Sequence, residues 1–446
     1  MIVLVKTLQV ILALAVLILF HELGHFTFAK LFGIRVDKFF LFFDVNGFKL
    51  LSTKEGWFSK MFPGLKKYET EYGIGWLPFG GYCKINGMVD ESMDTDFLQH
   101  EPQPWEFRSK PAWQRLLVMS GGVLFNFILA IFFFIIILGV WGETYLSNED
   151  NAIYVNELSY DMGFRTGDRI LLLDDYAPEN FSMLAADIVR RQVRKVTLLR
   201  GADTVSVYID QARTGDILQH PDMFSVAVPF VVDSIPQISP NYEAGFRHGD
   251  RFIAVNGRPL TYVQESHEAV EGLRDQAVPV TVVRGADTLA MDMRLDTLGR
   301  ALIYAQIPGI RTRRYNALTA IPAGFRMAWT SVSDYLKDLR MVATPSTGAY
   351  KSVGSFIAIG QAFPGYWDWY RFLYLLAILS IMLGVMNLLP IPALDGGHIV
   401  FTLYEMITGR KPGEKFLMVA QMIGLVLIFG LMFLACGNDL MRLLRP

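Results

Sequence analysis

Four long apolar runs constrain the fold of this chain more than any other feature. They extend from about Val3 to Ala29, from about Leu116 to Trp141, near 372–390 and over 417–436. Each is close to the ~20 residues that an α-helix needs to cross a bilayer. The last two could be soluble core helices, but their length and their lack of interrupting charges favour spans. Only 19% of the chain is charged, below the level usual for soluble domains, so we predict a membrane protein with four spans.

Positive charges predict the side of the membrane on which each loop lies. Lysine and arginine concentrate between spans one and two, and they recur in the loop between spans three and four. Basic loops tend to stay cytoplasmic, so both termini and residues 142–370 are predicted to lie outside. The only basic residue near the start of the first apolar run is Lys6, and no small-residue cleavage site follows the run, which favours a retained helix over a signal peptide.

Charge and cysteine content exclude two other classes of protein. The formal net charge is −2, which gives no indication of a nucleic-acid partner. The two cysteines, Cys83 and Cys436, lie far apart in sequence and in different predicted compartments. A disulfide framework is therefore not expected.

The region between spans two and three contains a duplication. GFRTGDRILLLDD at 163–175 matches GFRHGDRFIAVNG at 245–257, and RGADT at 200–204 recurs at 284–288. The nearly equal spacing predicts two tandem copies of one small domain. VTLLRGADTVSVYID and VTVVRGADTLAMDMR are predicted to be hairpins that turn at Arg-Gly-Ala-Asp.

The second copy resembles a known domain signature. Ala244 to Gly257 matches the bacterial PDZ pattern A-G-(L/F)-x-x-G-D-x-I-x-x-(I/V)-N-G, whereas the first copy has Asp174 and Asp175 at the positions of Asn256 and Gly257. PDZ domains bind extended peptides by adding a strand to a sheet edge. Two roles stay open for the pair: filtering of substrates by peptide binding, which we favour, and a purely steric gate.

His21-Glu22-Leu23-Gly24-His25 is an H-E-x-x-H motif inside the first apolar run. On a helix, positions i and i+4 share a face, so His21 and His25 can bind one zinc ion. Glu22 lies beside them and can take a proton from the water that zinc activates, then deliver it to the leaving amine. Ionisable residues inside a membrane are costly and usually functional, which weighs against a chance motif.

A third ligand is expected, because catalytic zinc usually has three protein ligands and one open position. The sequence NLLPIPALDGGH at 387–398 offers Asp395, an acid at the end of an apolar span. Pro390 and Pro392 are predicted to break the helix there, and broken helices are tolerated in membranes where they line a cavity. Asp395 is the predicted third ligand, and it could also serve as a helix N-cap. His398 is assigned to packing or hydrogen bonding.

These motifs together carry a family resemblance. HELGH in the first span, SGGVLFN at 120–126 in the second and NLLPIPALDGGH in a late span resemble the site-2 protease family of intramembrane zinc metalloproteases. The tandem PDZ-like copies narrow the resemblance to the Gram-negative members that regulate a sigma-factor stress response. The resemblance covers nearly the whole chain.

The resemblance has consequences for the site and for the substrates. It implies that His21, His25 and Asp395 bind Zn²⁺, that Glu22 is the catalytic acid and base, and that Asn387 contacts the substrate. It implies two kinds of substrate, namely anti-sigma factors already clipped outside the membrane and remnant signal peptides. It also implies a location in the bacterial inner membrane, with periplasmic PDZ domains and an active site toward the cytoplasm.

Residues 68–85, YETEYGIGWLPFGGYCKI, are predicted to form a Gly-punctuated β-hairpin on the cytoplasmic side. We expect a strand edge near Gly73 to Trp76, at which Gly73, Ile74 and Gly75 pair with an unwound substrate backbone, as the family is thought to do. An ordinary surface hairpin is an equal alternative. Asn387 could hydrogen-bond the same backbone or link two helices.

The predicted fold is a polytopic α-helical membrane protein with a membrane-associated β-hairpin and two periplasmic α+β PDZ domains. Residues 315–341 are predicted to form an amphipathic helix near the outer surface or on the PDZ pair. The predicted segments are the first span (1–30), a cytoplasmic-side loop with the hairpin (31–112), the second span (113–142), the two PDZ copies (145–222 and 223–306), an amphipathic segment (307–369), the third span (370–400), a cytoplasmic loop (401–416) and the fourth span (417–438).

Three other functions fit the sequence less well. A non-catalytic receptor would not need the intact Glu22. A transporter with a proton relay would be expected to show an inverted repeat of spans, and none is visible. A soluble-type zinc peptidase on a membrane anchor would carry its metal motif outside the apolar run.

Overall fold

A computed structural model of the chain describes residues 2–78, 80–88, 101–220, 222–345 and 349–444. These residues divide into two compact units. The helical unit comprises Met1–Gly142, Arg314–Ala343 and Tyr350–Pro446, and the β-rich unit comprises Glu143–Arg313 and Thr344–Ala349. The described helices are α1 (Ile2–Leu31), α2 (Gly56–Met61), α3 (Ala112–Val140), α4 (Glu157–Asp161), α5 (Leu184–Arg190), α6 (Thr214–Gln219), α7 (Val263–Ala269), α8 (Ala317–Val342), α9 (Phe356–Ala362), α10 (Trp369–Leu388), α11 (Asp395–Thr408) and α12 (Glu414–Leu444).

Short strands make up the rest of the regular structure. The helical unit contains β1 (Val36–Leu41), β2 (Lys49–Ser52), β3 (Glu71–Gly75) and β4 (Tyr82–Ile85). The β-rich unit contains β5 (Glu143–Leu146), β6 (Ile153–Val155), β7 (Arg169–Leu173), β8 (Lys195–Arg200), β9 (Asp203–Tyr208), β10 (Phe224–Val226), β11 (Val232–Ser234), β12 (Arg251–Val255), β13 (Arg258–Pro259), β14 (Ala277–Arg284), β15 (Asp287–Arg294), β16 (Tyr304–Ala305) and β17 (Ile310–Arg313).

Four helices of the described chain are long and apolar enough to cross a membrane. They are α1, α3, α10 and residues Lys415–Met441 of α12. The number of predicted spans is thereby confirmed. Many apolar side chains on these helices are exposed, as on Leu4, Phe132 and Val426, which is the pattern expected of surfaces that face lipid rather than water.

The third span is interrupted where the prolines predict it. Helix α10 ends at Leu388, Leu389 has extended backbone angles, and α11 begins at Asp395. Proline has no N–H to continue the ladder and its ring clashes with the preceding turn. The N-cap of α11 is Leu394, so Asp395 is the first helical residue and its carboxylate is not used as the cap.

The segment predicted to be a hairpin belongs to a four-stranded sheet with a different strand order, β2-β3-β1-β4. Strands β3 and β4 do not pair with each other, because β1 lies between them, parallel to β3 and antiparallel to β4. The hairpin prediction is therefore wrong. The segment between the two strands includes Phe79, which lies outside the described residues.

Strand β3 also lacks the predicted free edge. Gly73 pairs with Phe40 of β1 on one side and with Ser52 of β2 on the other, and Gly75 is paired with Lys49. The expectation that the sheet presents an edge along Gly73, Ile74 and Gly75 is therefore wrong. Among the described residues, β2 and β4 are the outer strands of this sheet.

The two sequence repeats in the β-rich unit share a hairpin and an Asp–Arg ion pair, although the first copy has a three-stranded sheet and the second a four-stranded one. The hairpins turn at Arg-Gly-Ala-Asp, with Arg200 paired to Asp203 and Arg284 paired to Asp287, which confirms the prediction. In the first copy, Arg200 donates two hydrogen bonds of 2.8 Å to the buried carboxylate of Asp168. In the second copy, Arg284 donates two hydrogen bonds of 2.7 Å to Asp250.

The first copy extends beyond residue 222. Strand β10, Phe224–Val226, pairs with β6, and the ring of Phe224 packs edge-on against Phe164 with centroids 4.9 Å apart. The core of the second copy begins near Phe230, which stacks on Phe252 at 4.2 Å. The boundary between the first copy and the second therefore lies after Val226.

The predicted amphipathic helix is α8, which is capped by the side chain of Asn316. Its apolar face packs within the helical unit, where Ala328 and Ala323 are buried against the residues of α3 and α10 that include Phe134 and Ala377. The helix therefore packs along the second and third spans. The two placements predicted for it, near the outer surface of the membrane and on the PDZ pair, stay predictions.

Candidate metal centre and active site

The site begins where α1 and α3 touch backbone to backbone. A Cβ atom built on Gly24 would lie 2.1 Å from the carbonyl oxygen of Gly121, and one built on Gly121 would lie 2.6 Å from the oxygen of Gly24. Only residues without a side chain allow helices to approach this closely in a membrane. The contact brings His21 and His25, one helical turn apart, against α3.

Gly122 leaves the space that the two imidazole rings occupy. A Cβ atom there would lie 2.5 Å from Cε1 of His21 and 2.5 Å from Nε2 of His25. Both rings are largely buried, with side-chain exposures of 12% and 8%. The small residues of α3 thus serve packing and at the same time make room for the histidine pair.

The histidines meet Asp395 at the first turn of α11. Nε2 of His21 lies 3.3 Å from Nε2 of His25, and each Nε2 lies 3.4 Å from Oδ2 of Asp395. These three residues form a group whose ligand atoms could hold a metal ion. Sequence reasoning predicted the same three residues, which the fold brings together from positions more than 350 residues apart.

The geometry fits zinc. In tetrahedral coordination, zinc bonds of about 2.0–2.1 Å set neighbouring ligand atoms roughly 3.3–3.4 Å apart, which matches the three distances between His21, His25 and Asp395. Oδ2 of Asp395 is buried, and in the described chain it faces the two Nε2 atoms at 3.4 Å without a hydrogen bond of normal geometry. A buried carboxylate oxygen without a partner is costly unless a cation approaches it, so the donor set suits a divalent metal.

Both histidines contact α3 through their other ring nitrogen. Nδ1 of His25 lies 2.9 Å from the carbonyl oxygen of Val118, and Nδ1 of His21 lies 3.1 Å from the amide nitrogen of Asn126. Sequence reasoning missed these contacts. The signal available for Asn126 was its polar side chain in an otherwise apolar span.

Asn387 and Glu22 lie at the edge of the cluster. Nδ2 of Asn387, one residue before the end of α10, is 3.4 Å from Nε2 of His21. Glu22 lines a cavity of about 490 Å³ together with His21, His25 and Asp395. Of the predicted site residues, His21, Glu22, His25 and Asp395 therefore line one cavity, and Asn387 contacts one of them, His21.

The same cavity is lined by the edge strand β4 and by its neighbour β1. Gly81, Tyr82, Cys83, Lys84 and Ile85 all contribute to the lining. The hydroxyl of Tyr82 donates a 2.8 Å hydrogen bond to Asp44. Gly73, Ile74 and Gly75 do not line it. The strand that faces the cluster is thus β4, one strand farther along the chain than predicted.

Comparison with known proteins gives the family. Peptidase family M50 matches residues 9–431. The chain belongs to peptidase family M50. A Salmonella typhimurium protein named regulator of sigma-E protease RseP is 27% identical over 464 residues, covering 97% of this chain and 98% of its own length. This family agrees with the resemblance to the site-2 proteases that was drawn from HELGH and NLLPIPALDGGH.

Other relatives agree with this assignment. A Neisseria meningitidis protein that is provisionally named a zinc metalloprotease is 28% identical over 465 residues, covering 97% of this chain and 98% of its own length. A Xylella fastidiosa protein with a similar provisional name is 27% identical over 461 residues, covering 97% of each chain. The chain is therefore a zinc metalloprotease of the site-2 type, and the predicted cofactor is confirmed.

Proposed function

We propose that this protein hydrolyses peptide bonds within the membrane-spanning segments of single-span proteins, with zinc held by His21, His25 and Asp395 and with Glu22 as the acid and base. The observation that carries the proposal is the set of three donor atoms 3.3–3.4 Å apart, supplied by a membrane-length helix and by the helix that follows an interrupted span. Glu22 lines the cavity that opens onto them.

Each residue has a defined task in this proposal. His21, His25 and Asp395 would hold zinc, which when bound would supply Lewis-acid chemistry for the activation of water and of the scissile carbonyl group. Glu22, adjacent in sequence to His21, takes the proton of the attacking water and passes it to the leaving amine. Asn387 carries both a donor and an acceptor, and its amide lies 3.4 Å from His21, close enough to hold the substrate backbone beside the reacting bond.

The substrate must be extended before it can be cut, because a spanning helix satisfies its own peptide groups. A β-strand beside the reacting bond can supply backbone hydrogen bonds in place of those that the substrate loses when its helix unwinds. Strand β4 lines the catalytic cavity, whereas Gly73, Ile74 and Gly75 do not. We therefore assign substrate pairing to β4, in place of Gly73, Ile74 and Gly75.

The natural substrates are proposed to be anti-sigma factors already clipped outside the membrane, and remnant signal peptides. Two observations support this class. A relative that matches this chain over nearly its full length carries the name regulator of sigma-E protease RseP, and the basic loops favour a multi-pass arrangement in a bacterial inner membrane, with the active site toward the cytoplasm. Cleavage would release a sigma factor and begin an envelope stress response.

The β-rich unit is proposed to consist of two periplasmic PDZ domains that admit only shortened substrates. The repeated Asp–Arg pairs and the repeated hairpins support two copies of one domain. Two modes of control remain: strand addition of a substrate terminus, or exclusion of substrates that keep a folded outer domain.

Mapping of the cut tests the proposal. A tagged single-span anti-sigma factor, supplied either intact or truncated at its outer juxtamembrane site, is incubated with the purified protein in detergent, and the products are identified by mass spectrometry. The proposal expects a cut within the apolar segment, and only in the truncated form. A cut confined to soluble segments would contradict intramembrane proteolysis, and equal cutting of both forms would contradict gating by the β-rich unit.

A further inference from the structure

The two histidines of the metal centre differ in the hydrogen-bond partners of Nδ1, the ring nitrogen that is not directed at Asp395. For Nε2 of a histidine to bind a metal, Nδ1 must carry the proton and donate it. At His25 the partner is the carbonyl oxygen of Val118, 2.9 Å away, which can only accept. At His21 the ring has a backbone hydrogen-bond partner in Gly122, and Nδ1 also lies 3.1 Å from a side chain, the carboxamide of Asn126.

The orientation of that carboxamide determines whether Asn126 supports or opposes the tautomer of His21 that binds a metal through Nε2. With the amide nitrogen toward Nδ1, two N–H donors would face each other, while Oδ1 of Asn126 is buried without a hydrogen-bond partner in the described chain. The two ends of a carboxamide have the same shape, so hydrogen-bond partners decide which is which. A half-turn of the amide brings the orphaned oxygen to the N–H of His21.

We propose that Asn126 is a positioning residue of the metal centre, whose side-chain oxygen accepts a hydrogen bond from Nδ1 of His21 and so presents Nε2 to zinc. This inference rests on the proposed ligand role of His21. Ligating histidines nearly always have such a partner, and its loss typically costs about 10–100-fold in metal affinity.

The surroundings of Asn126 hold it in this position. It is completely buried in α3, and its backbone carbonyl accepts a 2.7 Å hydrogen bond from the hydroxyl of Ser380 on α10. A Cβ atom at Gly384 would lie 3.4 Å from the Cβ of Asn126. An asparagine in a span often serves only to link helices. In this protein the link to α10 uses the backbone, and the side chain contacts a metal ligand instead.

Zinc affinity tests the proposal independently of proteolysis. The full-length protein and its variants are equilibrated with zinc against graded chelator, and bound zinc is measured per protein. Asn126→Leu, which has a similar size but no acceptor, should lower zinc affinity by about 10–100-fold. Asn126→Asp keeps an acceptor at the same place and should remain within a few fold of the wild type.

Two further variants make the result decisive. Ser380→Ala removes the helix–helix hydrogen bond at the same junction but not the acceptor, so it should retain zinc. His21→Ala should lose zinc, and if it does not, the ligand assignment itself fails along with this proposal. The positioning role is overturned if Asn126→Leu binds zinc like the wild type, or if Asn126→Asp or Ser380→Ala loses as much as Asn126→Leu.

Discussion

Replacing Gly122 by alanine should disable the metal centre without touching a ligand. The added methyl group would lie 2.5 Å from ring atoms of both His21 and His25, whereas ordinary van der Waals contact begins near 3.4 Å. One or both rings must therefore move by about 1 Å, and a displacement of that size can cost roughly 100-fold in rate. Overpacking of a close helix contact adds about 1–3 kcal/mol of destabilisation.

A second glycine of the same helix supplies the control. A Cβ atom at Gly139 would have Ala320 as its nearest neighbour, at 3.8 Å, so alanine fits there. In a helix, alanine is favoured over glycine by about 0.5–1 kcal/mol, and Gly139→Ala should therefore be neutral or slightly stabilising. The two variants make the same chemical change in α3 and differ only in what the methyl group meets.

The assay measures kcat/KM on a truncated single-span substrate in detergent, together with bound zinc per protein. We expect Gly122→Ala to lose about 100-fold in kcat/KM and part of its zinc, and Gly139→Ala to match the wild type. Wild-type activity and zinc content in Gly122→Ala would refute the close packing of Gly122 against the two imidazole rings. Equal losses in both variants would show that any added methyl group in α3 is harmful, and the argument from the imidazole rings would fail.

Three other perturbations follow from the structure. Asp395→Asn should reduce zinc affinity by more than the roughly 10–100-fold typical of an outer partner, measured as zinc retained against chelator; unchanged affinity would remove Asp395 from the ligand set. Under mild oxidation, Cys83 on β4 should form a disulfide with a substrate that carries one cysteine near its cut, whereas Cys436 should not. On non-reducing gels, the cross-link should therefore be lost in Cys83→Ser and kept in Cys436→Ser. The hydrogen bonds from Arg284 lower the pKa of Asp250 below 3.8, so their stabilising effect is present above that pH and is lost as the pH falls below it. Asp250→Asn should therefore lower the unfolding free energy of the second copy by about 1.5–3 kcal/mol at neutral pH, which would be measured as faster amide exchange in β14. The difference in stability between this variant and the wild type should narrow in strong acid. A difference that does not change with pH would contradict the ion pair.

The spans and the metal cluster could be predicted from the sequence because their signals are local. An apolar run of membrane length is visible without knowledge of its neighbours, and so is the i, i+4 pair of His21 and His25. Asp395 stood out because an acid at the end of an apolar span needs a partner. The Arg-Gly-Ala-Asp turns were also local, and the hairpins formed where they were predicted.

The order of strands could not be predicted in the same way. Strands β3 and β4 are neighbours in sequence, which favours a hairpin, yet β1 pairs with both. Gly73 is enclosed on both sides, and a Cβ atom there would lie 2.4 Å from the ring of Phe40, so its glycine serves close packing rather than an open edge. Strand pairing across some 30 residues is a tertiary choice that alternation along one segment does not encode.

Contacts made through a single polar atom could not be predicted from the sequence either. Asn126 is one asparagine in an apolar helix, and nothing in its neighbours along the chain points to His21, which lies 105 residues away. Its contact depends on the crossing of α1 and α3 at Gly24 and Gly121. The amphipathic pattern of α8 likewise indicated an apolar face but not the helices that cover it.

Cleavage by the wild type and by Glu22→Gln, side by side, tests the central claim most directly. Both proteins are purified in detergent and supplied with the same tagged, truncated single-span substrate, and bound zinc is measured in each. The amide of glutamine has nearly the same shape but cannot accept and return a proton. We predict cleavage by the wild type alone, with zinc bound to both proteins. Equal cleavage by the two proteins would contradict the assignment of Glu22 and the mechanism built on it.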